Sequence, residues 1–107
     1  MFSIFKKNSI KSILISELDE KLNEINLIDI RESYETSAGF IKGSKKVPMN
    51  TLLNNPEKYL KKEDKYYIIC QSGMRSLRTC KILNKLGYNV FNIKGGFGSY
   101  TGKNIKR

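Results

Sequence analysis

The sequence predicts an α/β domain with a central, mainly parallel sheet flanked by helices. Three observations carry this. Short β-branched and aromatic runs recur near residues 13–15, 26–30, 65–70 and 89–93. The segments between them carry either the apolar spacing of a helix or a polar, glycine-punctuated loop. No repeat or linker interrupts the 107 residues, which make one domain's worth of chain. Strands that alternate with helices across short loops favour parallel pairing through crossovers.

Ile13, Leu14 and Ile15 form the first apolar run, and Ser16 followed by Asp19 reads as a helix start with a carboxylate in its first turn. Leu18, Leu22 and Ile25 fall at spacings of 4 and 3, the buried stripe of that helix. Asn26 to Ile30 is too short for a helix and reads as a buried strand. The polar stretch RESYETSAGFIKGS follows as a loop with one helical turn, punctuated by Gly39 and Gly43. Lys46 and Val47 make a brief strand ended by Pro48, after which Asn50 caps a short helix through Leu53. A polar surface segment leads into the clearest strand, Lys65 to Cys70. Beyond the loop QSGMRS, Thr79, Ile82, Leu83 and Leu86 fall at i, i+3, i+4 and i+7, and Gly87 stops the helix. Asn89 to Ile93 is the last strand, and Gly95-Gly96 turns the chain into its terminal segment.

Composition narrows the chemistry. There is no His and there are two Cys. Ser-His and Cys-His hydrolase arrangements, His-containing zinc sites and imidazole proton shuttles are thereby excluded. Two Cys are too few for a disulfide framework or a Cys-only metal site, so no metal and no cofactor is expected. The first residues lack the apolar core of a secretory signal, and no run approaches the length of a membrane span, so the expectation is a cytoplasmic protein with reduced thiols and no membrane partner. The net charge is +10, and residues 65–107 hold 9 basic side chains and no acidic one. With 16 Lys among the 20 basic residues, this reads first as a solvated surface and second as a field that steers a small anion; no nucleic-acid partner is expected.

Cys70 draws the most attention. In a parallel α/β sheet, ligands bind beyond the carboxyl ends of the strands, and Cys70 ends one just before a helix. Residues 71–76 contain no proline, so their amides are free to curl around one point, and Gly73 permits the positive φ that such a curl needs. The helix adds its positive N-terminal end, and Arg75 adds a cation. All three favour thiolate over thiol without a partner base. Cys80, one to two turns into the helix at the edge of its apolar face, reads as inert core.

These residues resemble the rhodanese family of single-domain sulfurtransferases. CQSGMRS is similar to that family's active-site loop, LIDIRESYETSAGFIKGSKKVP to its Asp-x-Arg, Glu and Gly-x-Ile-x-Gly stretch, and LGYNVFNIKGGFGSY to its closing strand and Gly-Gly turn. The likeness runs from about Ser12 to Tyr100. It implies a rhodanese-like fold, divided as an N-terminal extension over residues 1–10, the domain over 11–101 and a C-terminal tail over 102–107. It also implies that Cys70 is the catalytic nucleophile and accepts a sulfane sulfur as a persulfide. The substrate-binding loop would be Gln71, Ser72, Gly73, Met74, Arg75 and Ser76. Asp29 and Arg31 match the family's acidic and basic pair and read as a brace beneath the loops. Phe40 stands where the family commonly has His, and Tyr100 where it commonly has Trp.

The resemblance implies a thiosulfate sulfurtransferase whose partners are a small anionic sulfur donor and a thiol, protein-thiol or cyanide acceptor; no oligomeric state is assigned. Two other functions use the same residues. A persulfide carrier docked to a partner protein would hold the sulfur without turnover, with Met74 and Leu77 near the loop rim. A Cys-based phosphatase or arsenate reductase would need room for a tetrahedral oxyanion. Its loop places five residues between Cys and Arg, whereas four separate Cys70 from Arg75.

Overall fold

The computed structural model describes residues 10–107, so the extension set at residues 1–10 lies outside the described residues apart from Ile10. The strands are β1 Ser12–Leu14, β2 Asn26–Asp29, β3 Phe40–Ile41, β4 Lys45–Lys46, β5 Lys65–Ile69, β6 Asn89–Lys94 and β7 Ile105–Lys106. The α-helices are α1 Leu18–Lys21, α2 Ser33–Thr36, α3 Met49–Asn54 and α4 Met74–Lys85. Five strands form one sheet in the order β1-β6-β5-β2-β4, and every neighbouring pair in it is parallel. The expected α/β architecture with a central parallel sheet is what the chain adopts. Among the described residues, no helix is long and apolar enough to cross a membrane.

β5 lies at the centre and is covered on both faces, which is why its sequence is continuously apolar rather than alternating. Tyr66, Ile68 and, just beyond the strand, Cys70 join the core layer that contains Leu52 of α3 and Cys80 and Leu83 of α4. Tyr67 and Ile69 point the other way, toward Ile15, Leu18, Leu27 and Ile93. The period of two thus delivers the Cys70 side chain to the α4 side of the sheet.

Several boundaries differ from the sequence reading, each for a local reason. The helix expected after Ser16 is a chain of short pieces, with 3-10 turns at Ile15–Glu17 and Leu22–Glu24 on either side of α1. Its start is fixed earlier than Ser16, because the Glu17 carboxylate accepts the Leu14 N–H at 2.8 Å. α3 begins at Met49 behind Pro48, whose carbonyl accepts the Leu52 N–H, so Asn50 lies inside the helix instead of capping it. The brief strand falls on Lys45–Lys46 rather than Lys46–Val47, although the Val47 N–H still bonds to the Asp29 carbonyl. Gly87 ends α4 as expected: it takes φ +97°, and the following Tyr88 N–H reaches back to the Leu83 carbonyl. The antiparallel pairing of β3 with β7 has no counterpart in the sequence reading, since two-residue strands show no periodicity.

At the carboxyl edge of the sheet, the turn after β6 packs directly on the segment after β5. The Phe97 N–H donates to the Cys70 carbonyl at 2.8 Å, and the Gly98 N–H donates to the Gln71 carbonyl at 2.9 Å. This approach requires glycine. Gly96 sits at φ +63°, and a Cβ there would lie 2.5 Å from the Gln71 carbonyl oxygen and 2.6 Å from that of Cys70. Gly96→Ala is therefore expected to destabilise the protein by at least about 2 kcal/mol, from a disfavoured backbone region and a clash with rigid main chain. A lowered urea midpoint checks this, and an unchanged midpoint would contradict the packing described.

Candidate active site

Cys70 follows β5 and is fully buried. Its Sγ accepts the Gly73 N–H at 3.1 Å and the Ser76 N–H at 3.3 Å, and lies 3.3 Å from Ser76 Oγ. The reason lies in how α4 begins. The first amides of a helix have no partner within it, and here the N-cap position is Gly73, which has no side chain to supply one. Gly73 adopts φ +100°, turning the loop back so that the sulfur of Cys70 lies over the first turn. The sulfur occupies the place of a capping oxygen.

Two opposed effects set the acidity of this thiol. Burial, the largest single influence, works against the thiolate. The Ser76 hydroxyl, the Ser76 and Gly73 amides and the Ser72 amide work for it, and together they hold the thiol below its ordinary range. Cys80 is also buried, but it lacks such donors, and desolvation pushes it up to about 12.

The loop residues fall into distinct places. Gly73 and Ser76 are buried against the sulfur. Gln71 and Ser72 are exposed, and the Met74 side chain is 64% exposed at the rim. Arg75 turns its guanidinium to Glu35, with Nη1–Oε1 at 2.8 Å and Nη2–Oε2 at 2.9 Å. This pair lowers the Glu35 carboxyl and raises the Arg75 guanidinium, in both cases chiefly through the hydrogen bonds between them. No hydrogen bond joins Arg75 to Sγ among the described residues, so its charge reaches the sulfur only through space.

Arg31 and Asp29 form a buried pair at 2.9 Å. Arg31 also donates to the Gly39 carbonyl at 2.8 Å and to Gln71 Oε1 at 3.3 Å, and its guanidinium lies 4.1 Å from the Phe97 ring centroid. It therefore ties the 39 and 71 loops to the turn after β6. Phe40 lies in β3, with Lys46 Nζ 3.7 Å from its ring centroid. Two residues that sequence reasoning passed over also belong here. Glu35 holds Arg75, and buried Asn92 of β6 is hydrogen-bonded to Ser76 Oγ. An amide in the apolar run NVFNI was the available signal for the second.

Cys70 is thus a buried thiol held by backbone amides at the carboxyl edge of a parallel sheet. Residues 14–103 match the family model for the Rhodanese-like domain. YtwF of Bacillus subtilis, provisionally named a sulfurtransferase, is 37% identical over 99 residues, covering 88% of this chain and 93% of that protein. An Allochromatium vinosum protein named Sulfurtransferase is 32% identical over 90 residues, covering 83% of each. The crystal structure of SSP1007 from Staphylococcus saprophyticus superposes with a TM-score of 0.84 at 33% identity, covering 92% of this chain and all of that one. A rhodanese-like domain protein from Staphylococcus aureus gives a TM-score of 0.82 at 32% identity over 91% of this chain and 97% of its own. The chain belongs to the rhodanese-like domain family.

The two thiols should separate cleanly by pH. Iodoacetamide at pH 7, followed by peptide mass spectrometry, is expected to label Cys70 and leave Cys80 unlabelled. The stability linkage runs in opposite senses. Because the Cys70 pKa falls on folding, its ionisation adds stability above the unfolded thiol's value, and this is lost as pH falls through the folded value. Because the Cys80 pKa rises, its contribution is present below the unfolded thiol's value and is lost as pH rises toward about 12. Equal labelling of both thiols would contradict this assignment.

Proposed function

We propose that the protein is a sulfurtransferase of the thiosulfate type, acting through a persulfide on Cys70. Family membership and the names carried by its relatives support sulfur transfer as the general activity. The single observation that carries the finer reading is the set of donors converging on Cys70 Sγ. In the first step, the Cys70 thiolate attacks the sulfane sulfur of thiosulfate. A sulfur–sulfur bond forms at Cys70 as the donor's own breaks, and sulfite leaves with the electron pair. In the second step, an acceptor thiolate or cyanide attacks the outer sulfur, and Cys70 departs as the thiolate. The same amides that favour the thiolate at the start favour it as the leaving group at the end.

Gln71 to Ser76 form the binding loop in this reading. Cys70 is buried, and in this reading the donor reaches it past Gln71, Ser72 and Met74, the exposed residues of the loop. Arg75, held at the rim by Glu35, is the cation that orients an anionic donor. Two free thiols suit a reducing, cytoplasmic setting.

A second reading, persulfide carriage to a partner protein, draws on the exposure of Tyr34 and Met74, 77% and 64%. Their helices are joined by the Glu35–Arg75 pair. YrkF of Bacillus subtilis, provisionally named a sulfur carrier protein, is 30% identical over 100 residues, although this chain spans only 54% of its length.

One experiment separates the readings. Incubation with thiosulfate and intact-mass measurement is expected to show one added sulfur atom, abolished by Cys70→Ser and retained in Cys80→Ser. Release of that sulfur to cyanide or a small thiol, with turnover, supports the transferase. A stable adduct without turnover supports the carrier, and no adduct in the parent protein overturns both.

A further inference from the structure

Asn92 lies within β6, paired with Ile68 of β5 and Ser12 of β1, on the sheet face that also carries Val90. It is 2% exposed. An apolar side chain would suit this position better, because a buried amide must be hydrogen-bonded to offset its desolvation. Its Oδ1 is the hydrogen-bond partner of Ser76 Oγ.

Ser76 has one hydroxyl hydrogen and three acceptors within reach: Asn92 Oδ1, the Gly73 carbonyl at 3.2 Å and Cys70 Sγ at 3.3 Å. While Cys70 is a thiol, a consistent chain exists: S–H donates to Ser76 Oγ, and Ser76 O–H donates to Asn92. When the thiol proton leaves to bulk water, Sγ becomes a pure acceptor and Ser76 must turn its hydrogen toward it. The Ser76 oxygen would then confront Asn92 Oδ1, acceptor against acceptor. A half-turn of the amide removes the conflict by presenting Nδ2–H in place of Oδ1.

We infer that Asn92 is a positioning residue that aims the Ser76 hydroxyl at Sγ, its amide accepting from Ser76 while Cys70 is a thiol and donating to Ser76 once Cys70 is an anion. The inference rests on Cys70 being the nucleophile proposed above. Arg75 and Cys80, both on α4, are titratable groups whose own ionisation feels Cys70. From the β2 side, the Asp29–Arg31 pair next to Gln71 is neutral as a unit. None of these groups is altered in the test.

Asn92→Leu preserves size and suits the apolar face, so the fold is expected to be kept. The pH profile of Cys70 alkylation by iodoacetamide is measured in the parent, Asn92→Leu, Ser76→Ala and the double variant. Asn92→Leu is expected to slow alkylation at pH 7 by about threefold to tenfold, the scale of one neutral hydrogen bond, and to move the midpoint upward. In the Ser76→Ala background the same change is expected to do nothing further. Asn92→Val, which likewise offers Ser76 no hydrogen bond, should shift the profile in the same direction, and it serves if Asn92→Leu does not fold. A profile superimposable on the parent's, or an equal shift with and without Ser76, would overturn the inference. The readout involves no sulfur transfer, so a failed persulfide reaction with this coupling intact would sink the proposed function alone.

Discussion

The sulfur of Cys70 stands where a helix ordinarily receives a capping oxygen, and the rest of the site follows from that substitution. α4 begins at a residue without a side chain, leaving first-turn amides in need of an acceptor. The thiolate meets that need, and the helix end in turn favours the thiolate. A helix without a cap and a buried thiol without a base would each be unfavourable alone; placed together, each answers the other. The chain lacks His, and the groups that favour the Cys70 thiolate are backbone amides and the Ser76 hydroxyl.

Such a cap works only if the loop is held in place, and two devices hold it. The first is backbone against backbone: the turn after β6 donates to the Cys70 and Gln71 carbonyls, at a closeness only glycine at position 96 allows. The second is Arg31, which collects Asp29, the Gly39 carbonyl and Gln71 from three segments of chain. A buried ion pair of this kind is weak evidence for stability, since desolvation offsets much of its attraction. Its value here is geometric. Both guanidiniums near the site are matched by carboxylates, Arg31 by Asp29 and Arg75 by Glu35, so the amide cradle, rather than a bare cation, is what meets the sulfur.

Much of this was legible in the sequence, and the reasons are specific. β5 announced itself because a strand covered on both faces must be apolar throughout, and Gly87 marked the end of α4 because a left-handed terminus wants glycine. The amide cradle around Cys70 was legible from its place between strand and helix and from the following Gly73. The first helix misled because Leu18, Leu22 and Ile25 fit one stripe, while Glu17 fixed a start two residues before Ser16. β3 and β7 were invisible, being two residues long and paired across more than sixty positions of chain. The partner of Arg75 was hidden for a similar reason: Glu35 lies 40 residues away, and sequence spacing carries no record of a contact made in three dimensions. Gly96 looked like an ordinary turn, and its closeness to the Cys70 carbonyl emerges only once the strands are side by side.

The central claim is that the folded protein holds the Cys70 thiol more acidic than an ordinary cysteine. The most direct test is to titrate it: the protein is labelled with carbon-13 at the cysteine β-carbons, Cys80 is replaced by Ser, and the Cys70 resonance is followed across pH by NMR. The midpoint is expected below about 8.5, the value of an unperturbed thiol. A midpoint at or above that value would mean that burial outweighs the amide and hydroxyl donors, and would contradict the account.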